Sequence, residues 1–385
     1  MNGRQAGQGV GAAILLGTIG VLSFIVQPGL VQGFVTAYGL SEAAANELAF
    51  MEMLGIAIAT IAAALIGTRI SWRVQTLCAL TIAALGYVLS GLAAGSEMLS
   101  TARLVAGLGS GFVISVSFSV VGAGPQPERN LGLYLVLLLT YGALGLWAMP
   151  TILDAFGLEP VFYAWALASV LAIGAGLRLP DAAVDEGGGG HEAGSVRAST
   201  GKIALVLAGV LLYNVSIGTA WANLFLIGID AGIAEQPIAN GLLLCQFTAV
   251  GGALAAVWSA ERITTIWPIV VGTLGGAAAL ALTLGTPGYA AFLVTLIAFN
   301  TLWNFALPFI LGLAAGLTSS GRLMSTAVAF QMVGLAFGPW AASELLAGAA
   351  SFEPVKILSI GAMLLSLALF IAPLLAGRNA VQAHA

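Results

Sequence analysis

The sequence predicts an all-α membrane protein of twelve transmembrane helices in two six-helix bundles, and three observations predict it. Of 385 residues, 59% are apolar and only 7% charged, with a mean hydropathy of +1.03. A soluble domain carries about 25% charged residues, so the surface of this chain must face hydrocarbon. Apolar runs of about 20 residues, the length a bilayer core of about 30 Å requires, recur along the whole chain. The cations supply the third observation. With the N-terminus on the cytoplasmic face and the chain alternating, Arg4, Arg69, Arg73, Arg129, Arg178, Arg197, Lys202, Arg262, Arg322 and Arg378 share that face, Lys356 falls outside, and Arg103 lies within a helix. That is the positive-inside pattern, and a miscounted span would scramble it.

The spans follow in order. Span 1 (11–36) is too long for a signal-peptide core and carries Pro28, which predicts a kink. Span 2 (44–66) contains Glu47 and Glu52. Spans 3 (75–94) and 4 (99–122) are separated by the few polar residues around Gly95–Ser100, and span 4 contains Arg103. Spans 5 (131–152) and 6 (160–178) complete the first half. The stretch 180–201, with Asp181, Asp185, Glu186, four consecutive glycines from Gly187 and His191, reads as a flexible linker. No GK[ST] follows those glycines, so they are not a phosphate loop. Spans 7 to 12 are 203–228, 237–258, 266–285, 290–316, 323–346 and 357–376. The resulting organisation is a first bundle at 1–179, a cytoplasmic linker at 180–201 and a second bundle at 202–385. Trp72, Trp147, Trp165, Trp258 and Trp267 near span ends suit an aromatic belt. Gly107-x-x-x-Gly111 and Gly334-x-x-x-Gly338 read as close-packing helix faces.

Several function classes fall away. A net charge of −4 and a pI near 5.2 argue against a nucleic-acid partner. Cys78 and Cys245 lie far apart in apolar runs and read as small buried hydrophobes. His191 and His384, in the linker and the tail, are the two histidines. No HExxH, GxSxG or Walker A motif occurs, so neither an enzyme nor an ATP-driven pump is expected, and no cofactor or metal.

The two halves repeat loosely. Arg69 after span 2 corresponds to Arg262 after span 8, and Arg129 before span 5 to Arg322 before span 11, both 193 residues apart. An even number of spans per half gives both halves one orientation, the parallel-repeat arrangement of some secondary transporters.

At span 4, Arg103-Leu104-Val105-Ala106-Gly107-Leu108-Gly109-Ser110-Gly111 resembles the fourth-helix signature of the major facilitator superfamily. Gly67-Thr68-Arg69-Ile70-Ser71-Trp72-Arg73 sits where that family has its loop between helices 2 and 3, but lacks the loop aspartate. Pro125-Gln126-Pro127-Glu128-Arg129 is also similar. The resemblance implies a secondary active transporter that moves a small organic solute across the inner membrane by alternating access, coupled to protons. Such a protein is expected to be a multi-pass monomer with both termini cytoplasmic, its partners being solute, protons and lipid. The stretch of span 5 from Tyr141 to Pro150 lacks the GPxxGG element of the family's proton-driven drug exporters, which favours uptake. An antiport exporter of amphipathic compounds stays open, as does a non-transporting membrane sensor or scaffold.

Ionisable groups inside a membrane cost a few kcal/mol and are functional candidates by default. Glu52, Arg103 and Glu47 are therefore the candidates for proton coupling. Arg103 also suits an anionic part of the solute, which makes an organic anion or aromatic compound the expected cargo. Glu47 and Glu52, about 140° apart around a helix, do not share a face. The resemblance implies that helices 1, 4, 7 and 10 line the cavity. On these, Gln27, Asn214, Trp221, Asn300, Trp303 and Asn304 are the expected solute contacts, beside Ser23, Gln32, Tyr213 and Asn223. The competing reading is that the amides bond helices together.

Overall fold

The structure is a computed structural model and describes residues 3–66, 69–123, 126–179, 199–317 and 322–382. Among these, fourteen helices carry the fold and no strand occurs. The chain divides into two compact units, Met1–Gly188 and Gly189–Ala385.

The first unit contains α1 (Gly3–Gly20), α2 (Leu22–Ile25), α3 (Gln27–Tyr38), α4 (Glu42–Ile66), α5 (Trp72–Gly91), α6 (Ser96–Ala123), α7 (Pro127–Phe156) and α8 (Glu159–Gly176). The second contains α9 (Thr200–Asp230), α10 (Glu235–Ser259), α11 (Ile266–Ala281), α12 (Tyr289–Ala315), α13 (Arg322–Leu346) and α14 (Glu353–Gln382). Among the described residues, nine of the helices are long and apolar enough to cross a bilayer by length and composition, and Gly9–Gly20 and Ile266–Ala281 are shorter apolar helices. Counting α1 to α3 as one broken crossing gives twelve crossings in all.

Helix ends follow local chemistry. Ser71 caps α5 by accepting from the Val74 amide. Gly39 (φ 63°) closes α3 in the left-handed region, as a C-terminal glycine does. Pro28, Pro127 and Pro160 occupy first-turn positions, where a missing N–H costs nothing. The outward faces are greasy. Leu133, Val136, Leu137 and Leu144 on α7, and Leu167, Val170 and Leu171 on α8, are exposed at helical spacing, a surface suited to lipid.

Inside each unit, glycine decides which helices touch. A Cβ on Gly107 would lie 2.1 Å from the Glu52 carbonyl oxygen, and one on Gly55 would lie 2.4 Å from that of Leu104. The backbones of α4 and α6 are therefore in direct contact. Gly109 faces the other way, its Cβ position 2.3 Å from the Ala83 nitrogen on α5. In the second unit, Gly252 meets the Thr301 carbonyl across α10 and α12 at 2.2 Å, and Gly338 meets the Thr219 nitrogen across α13 and α9 at 2.3 Å. The small-residue faces at Gly107/Gly111 and Gly334/Gly338 are thus helix contacts, as their spacing suggests.

Three findings differ from the sequence reading. Span 1 is broken twice, at Val21 and Val26, where non-helical dihedrals leave the four-residue α2 between them; Pro28 accounts for the second break alone. Trp72 and Trp165 are buried rather than belt residues, and Trp165 donates to the Tyr141 hydroxyl at 3.0 Å and packs on Tyr87. An indole with an internal acceptor has no need of the interface. Cys78 is exposed, because its place on α5 turns it away from α6. Residues 180–198 of the expected linker lie outside the described residues, and α9 already starts at Thr200.

Two cations tie helices together. Arg73 at the start of α5 donates twice to the Leu179 carbonyl just beyond α8, at 2.9 and 3.1 Å. Lys356 on α14 is buried, donating to Glu353 at 2.9 Å and to the Gly285 carbonyl at 3.2 Å.

Candidate functional site

Both charged groups at the centre of the first unit owe their place to glycine. Since Gly107 lets α6 lie against the Glu52 backbone, Arg103, one turn earlier on α6, reaches the Glu52 carboxylate with its stem. Arg103 Nη2 pairs with Glu52 Oε1, and the two side chains are 0% and 1% exposed. The same oxygen accepts the Ser23 hydroxyl from α2. Tyr87 on α5 brings its hydroxyl to 3.3 Å from Ser23 Oγ and 3.2 Å from Ser110 Oγ. Arg103 Nη1 donates to Ser90 Oγ at 3.4 Å. The guanidinium carbon lies 5.1 Å from the Phe162 ring centroid and 5.5 Å from that of Tyr87, within cation–π reach. Arg103 Nε has no hydrogen-bond partner among the described residues.

This arrangement is costly unless charges balance. Removing two ions from water costs several kcal/mol each, offset only by good mutual geometry and supporting hydrogen bonds. Serine, tyrosine and two aromatic faces supply that support here. Glu47 is elsewhere, exposed on another face of α4. Gln27, at the start of α3, is buried with Nε2 unpartnered among the described residues.

The second unit builds a neutral cluster at the crossing of α10 and α12. Asn300 Nδ2 donates to Gln246 Oε1 at 2.8 Å and to the Cys245 carbonyl at 3.1 Å. One turn on, Asn304 Nδ2 donates to the Asn300 carbonyl at 2.9 Å and lies 3.2 Å from its side-chain oxygen. Trp303 packs against Trp221 of α9 at 5.9 Å and against Phe299 at 6.4 Å. Gln246 Nε2 and Trp303 Nε1 are buried donors without hydrogen-bond partners among the described residues. An acceptor-bearing ligand would satisfy such groups. Asn214 stands apart: it donates to its own Val210 carbonyl at 2.8 Å and backs onto Gly334 of α13.

Of the sequence candidates, the structure brings Glu52 to Arg103, and Trp221, Asn300, Trp303 and Asn304 to one another. Glu47, Gln27 and Asn214 join neither group. Sequence reasoning missed Tyr87, Ser110, Phe162 and Gln246. Gln246 was findable, as an amide inside an apolar run; Phe162 carried no signal at all.

Two units of membrane-crossing helices, each with a buried polar cluster, define a multi-pass membrane protein of the solute-carrier kind. The Major Facilitator Superfamily model matches residues 12–339, and the chain belongs to that family of transporters. Among curated proteins, no sequence matches this chain. Solved structures with a similar fold include a point mutant of the nucleoside transporter NupG, with a TM-score of 0.73 and 14% identity over 96% of this chain and 99% of that one. The partially occluded inward-open xylose transporter XylE from E. coli is similar with a TM-score of 0.73 and 12% identity, over 96% of this chain and 98% of that one. At these identities the likeness is one of fold.

Proposed function

We propose that this protein is a proton-coupled carrier of a small organic solute, acting as a monomer by alternating access in the inner membrane with both termini cytoplasmic. The observation that carries the reading is the Glu52–Arg103 pair, buried at 1% and 0% exposure. A carboxylate that trades its guanidinium partner for a proton keeps its site neutral in both states. Gain or loss of one proton is then tied to a movement of Arg103. Once released, Arg103 is free to bind an anionic group. Within the second unit, Trp221 and Trp303 suit a ring, and Asn300 and Asn304 suit hydrogen-bonding groups. The missing GPxxGG element in span 5 supports uptake.

The test is flux into liposomes under an imposed pH gradient, with labelled nucleosides, sugars and aromatic carboxylates as the panel. Wild type accumulates its solute down the proton gradient, whereas Glu52→Gln exchanges solute without accumulating it. Accumulation that survives Glu52→Gln removes the proton role. Accumulation that requires the reversed gradient makes the protein an exporter.

A further inference from the structure

The bonds around Glu52 have a direction, fixed by counting protons. Ser23 has one O–H, and it is given to Glu52 Oε1. Toward Tyr87, 3.3 Å away, Ser23 therefore acts as acceptor, so the Tyr87 O–H points at Ser23. That uses the only proton of Tyr87, so Ser110, at 3.2 Å, must donate to Tyr87. Three O–H groups on α6, α5 and α2 are thus aligned head to tail, aimed at the carboxylate. A protonated Glu52 would donate to Ser23 and reverse all three. The ionisation state of one side chain sets the polarity of the whole chain.

A second observation singles out these serines. A serine in an apolar helix ordinarily returns its proton to a carbonyl in the preceding turn. Ser90, Ser115 and Ser117 do so, donating to Gly86, Gly111 and Val113 at 2.8, 2.9 and 2.7 Å. Ser23 and Ser110 instead turn toward Tyr87. All three hydroxyl-bearing residues are buried.

We propose that Ser110, Tyr87 and Ser23 form a hydroxyl relay that carries the proton to and from Glu52. The inference rests on the proton role given to Glu52 above. In loading, the Ser23 O–H bond breaks as an O–H bond forms on Glu52 Oε1. Tyr87 gives its proton to Ser23, Ser110 gives its proton to Tyr87, and a hydronium ion restores the last in a conformation that opens Ser110, buried here, to water. One proton is consumed, no hydroxyl stays charged, and the three O–H groups end reversed. Unloading runs the same steps backwards. Separations of 3.2 and 3.3 Å are at the long end for O–H···O, so transfer needs a closer approach. Ser23 is placed to provide it, since α2 is bounded by breaks on both sides. Among the described residues, the charged or titratable groups facing the chain include Arg103 on α6, which pairs with Glu52, and Tyr141 on α7, which faces Tyr87 through Trp165 of α8.

The experiment needs no solute. Purified full-length protein in lipid nanodiscs is acidified rapidly with a caged proton, and the carboxylic-acid stretch of Glu52 is followed by infrared difference spectroscopy. Tyr87→Phe keeps the ring beside Arg103 and Trp165 and removes only the hydroxyl. The band should rise about 100-fold more slowly or worse in this variant, with a smaller slowing in D2O than wild type shows. Ser110→Ala should do the same, and Ser110→Thr should restore the rate. A merely structural role would move neither the rate nor the deuterium effect. If the band vanishes in Glu52→Gln yet rises at the wild-type rate in both Tyr87→Phe and Ser110→Ala, the relay is wrong and the proton role of Glu52 stands. A band that survives Glu52→Gln removes the proton role, and the relay with it.

Discussion

The crossing of α4 with α6 and the crossing of α10 with α12 are the same contact made twice. Gly55 seats against the Leu104 carbonyl, and Gly252, 197 residues later, seats against that of Thr301, again 197 residues later. In that register Arg103 corresponds to Asn300. One crossing holds an ion pair supported by hydroxyls and aromatic faces; its counterpart holds a chain of amides. A shared backbone solution has been given two chemistries. A buried ion pair is placed in one unit, and neutral amide donors in the other.

That contrast can be broken by measurement, beginning where the effect is largest. Arg103→Met leaves Glu52 buried without its cation and should cost about 3–5 kcal/mol of stability. The double variant Glu52→Gln, Arg103→Met should recover most of it, as read by thermal unfolding in detergent. Equal losses in the single and double variants would mean that the pair contributes nothing as a pair. Gly107→Ala and Gly252→Ala place a methyl against backbone in the two crossings and should each cost about 1–3 kcal/mol. A large loss in one and none in the other would end the claim that the contacts are equivalent. Asn300→Leu removes the donor to Gln246 and should cost about 0.6–1.7 kcal/mol, visibly less than Arg103→Met. Trp303→Phe deletes an indole N–H that has no hydrogen-bond partner among the described residues, so stability should fall by about 1 kcal/mol or less while solute affinity in the liposome assay falls more.

The sequence shows the crossings because hydrocarbon imposes long apolar runs, and it shows polar residues inside them because such residues are rare. Glu52, Arg103, Asn300 and Asn304 are visible for that reason. The register of the repeat is less legible. Loop arginines place it at 193 residues and the helix contact at 197, a difference of about one turn that loop lengths absorb. The break at Val21 has no proline to announce it. Tyr87 and Trp165 are hidden because aromatic residues in a span suit an interface as well as an interior, and only the partner, Ser23 or Tyr141, decides which. Partners come from distant spans, and their convergence is a property of packing that no single run of residues records.

The paired hydrogen bonds from Arg73 to the Leu179 carbonyl make a strut of α5 and α8. Tension applied to the polypeptide where it leaves Leu179 is shared at once with the base of α5. From there it runs along a rigid rod to the Tyr87 hydroxyl, fourteen residues or about 21 Å away.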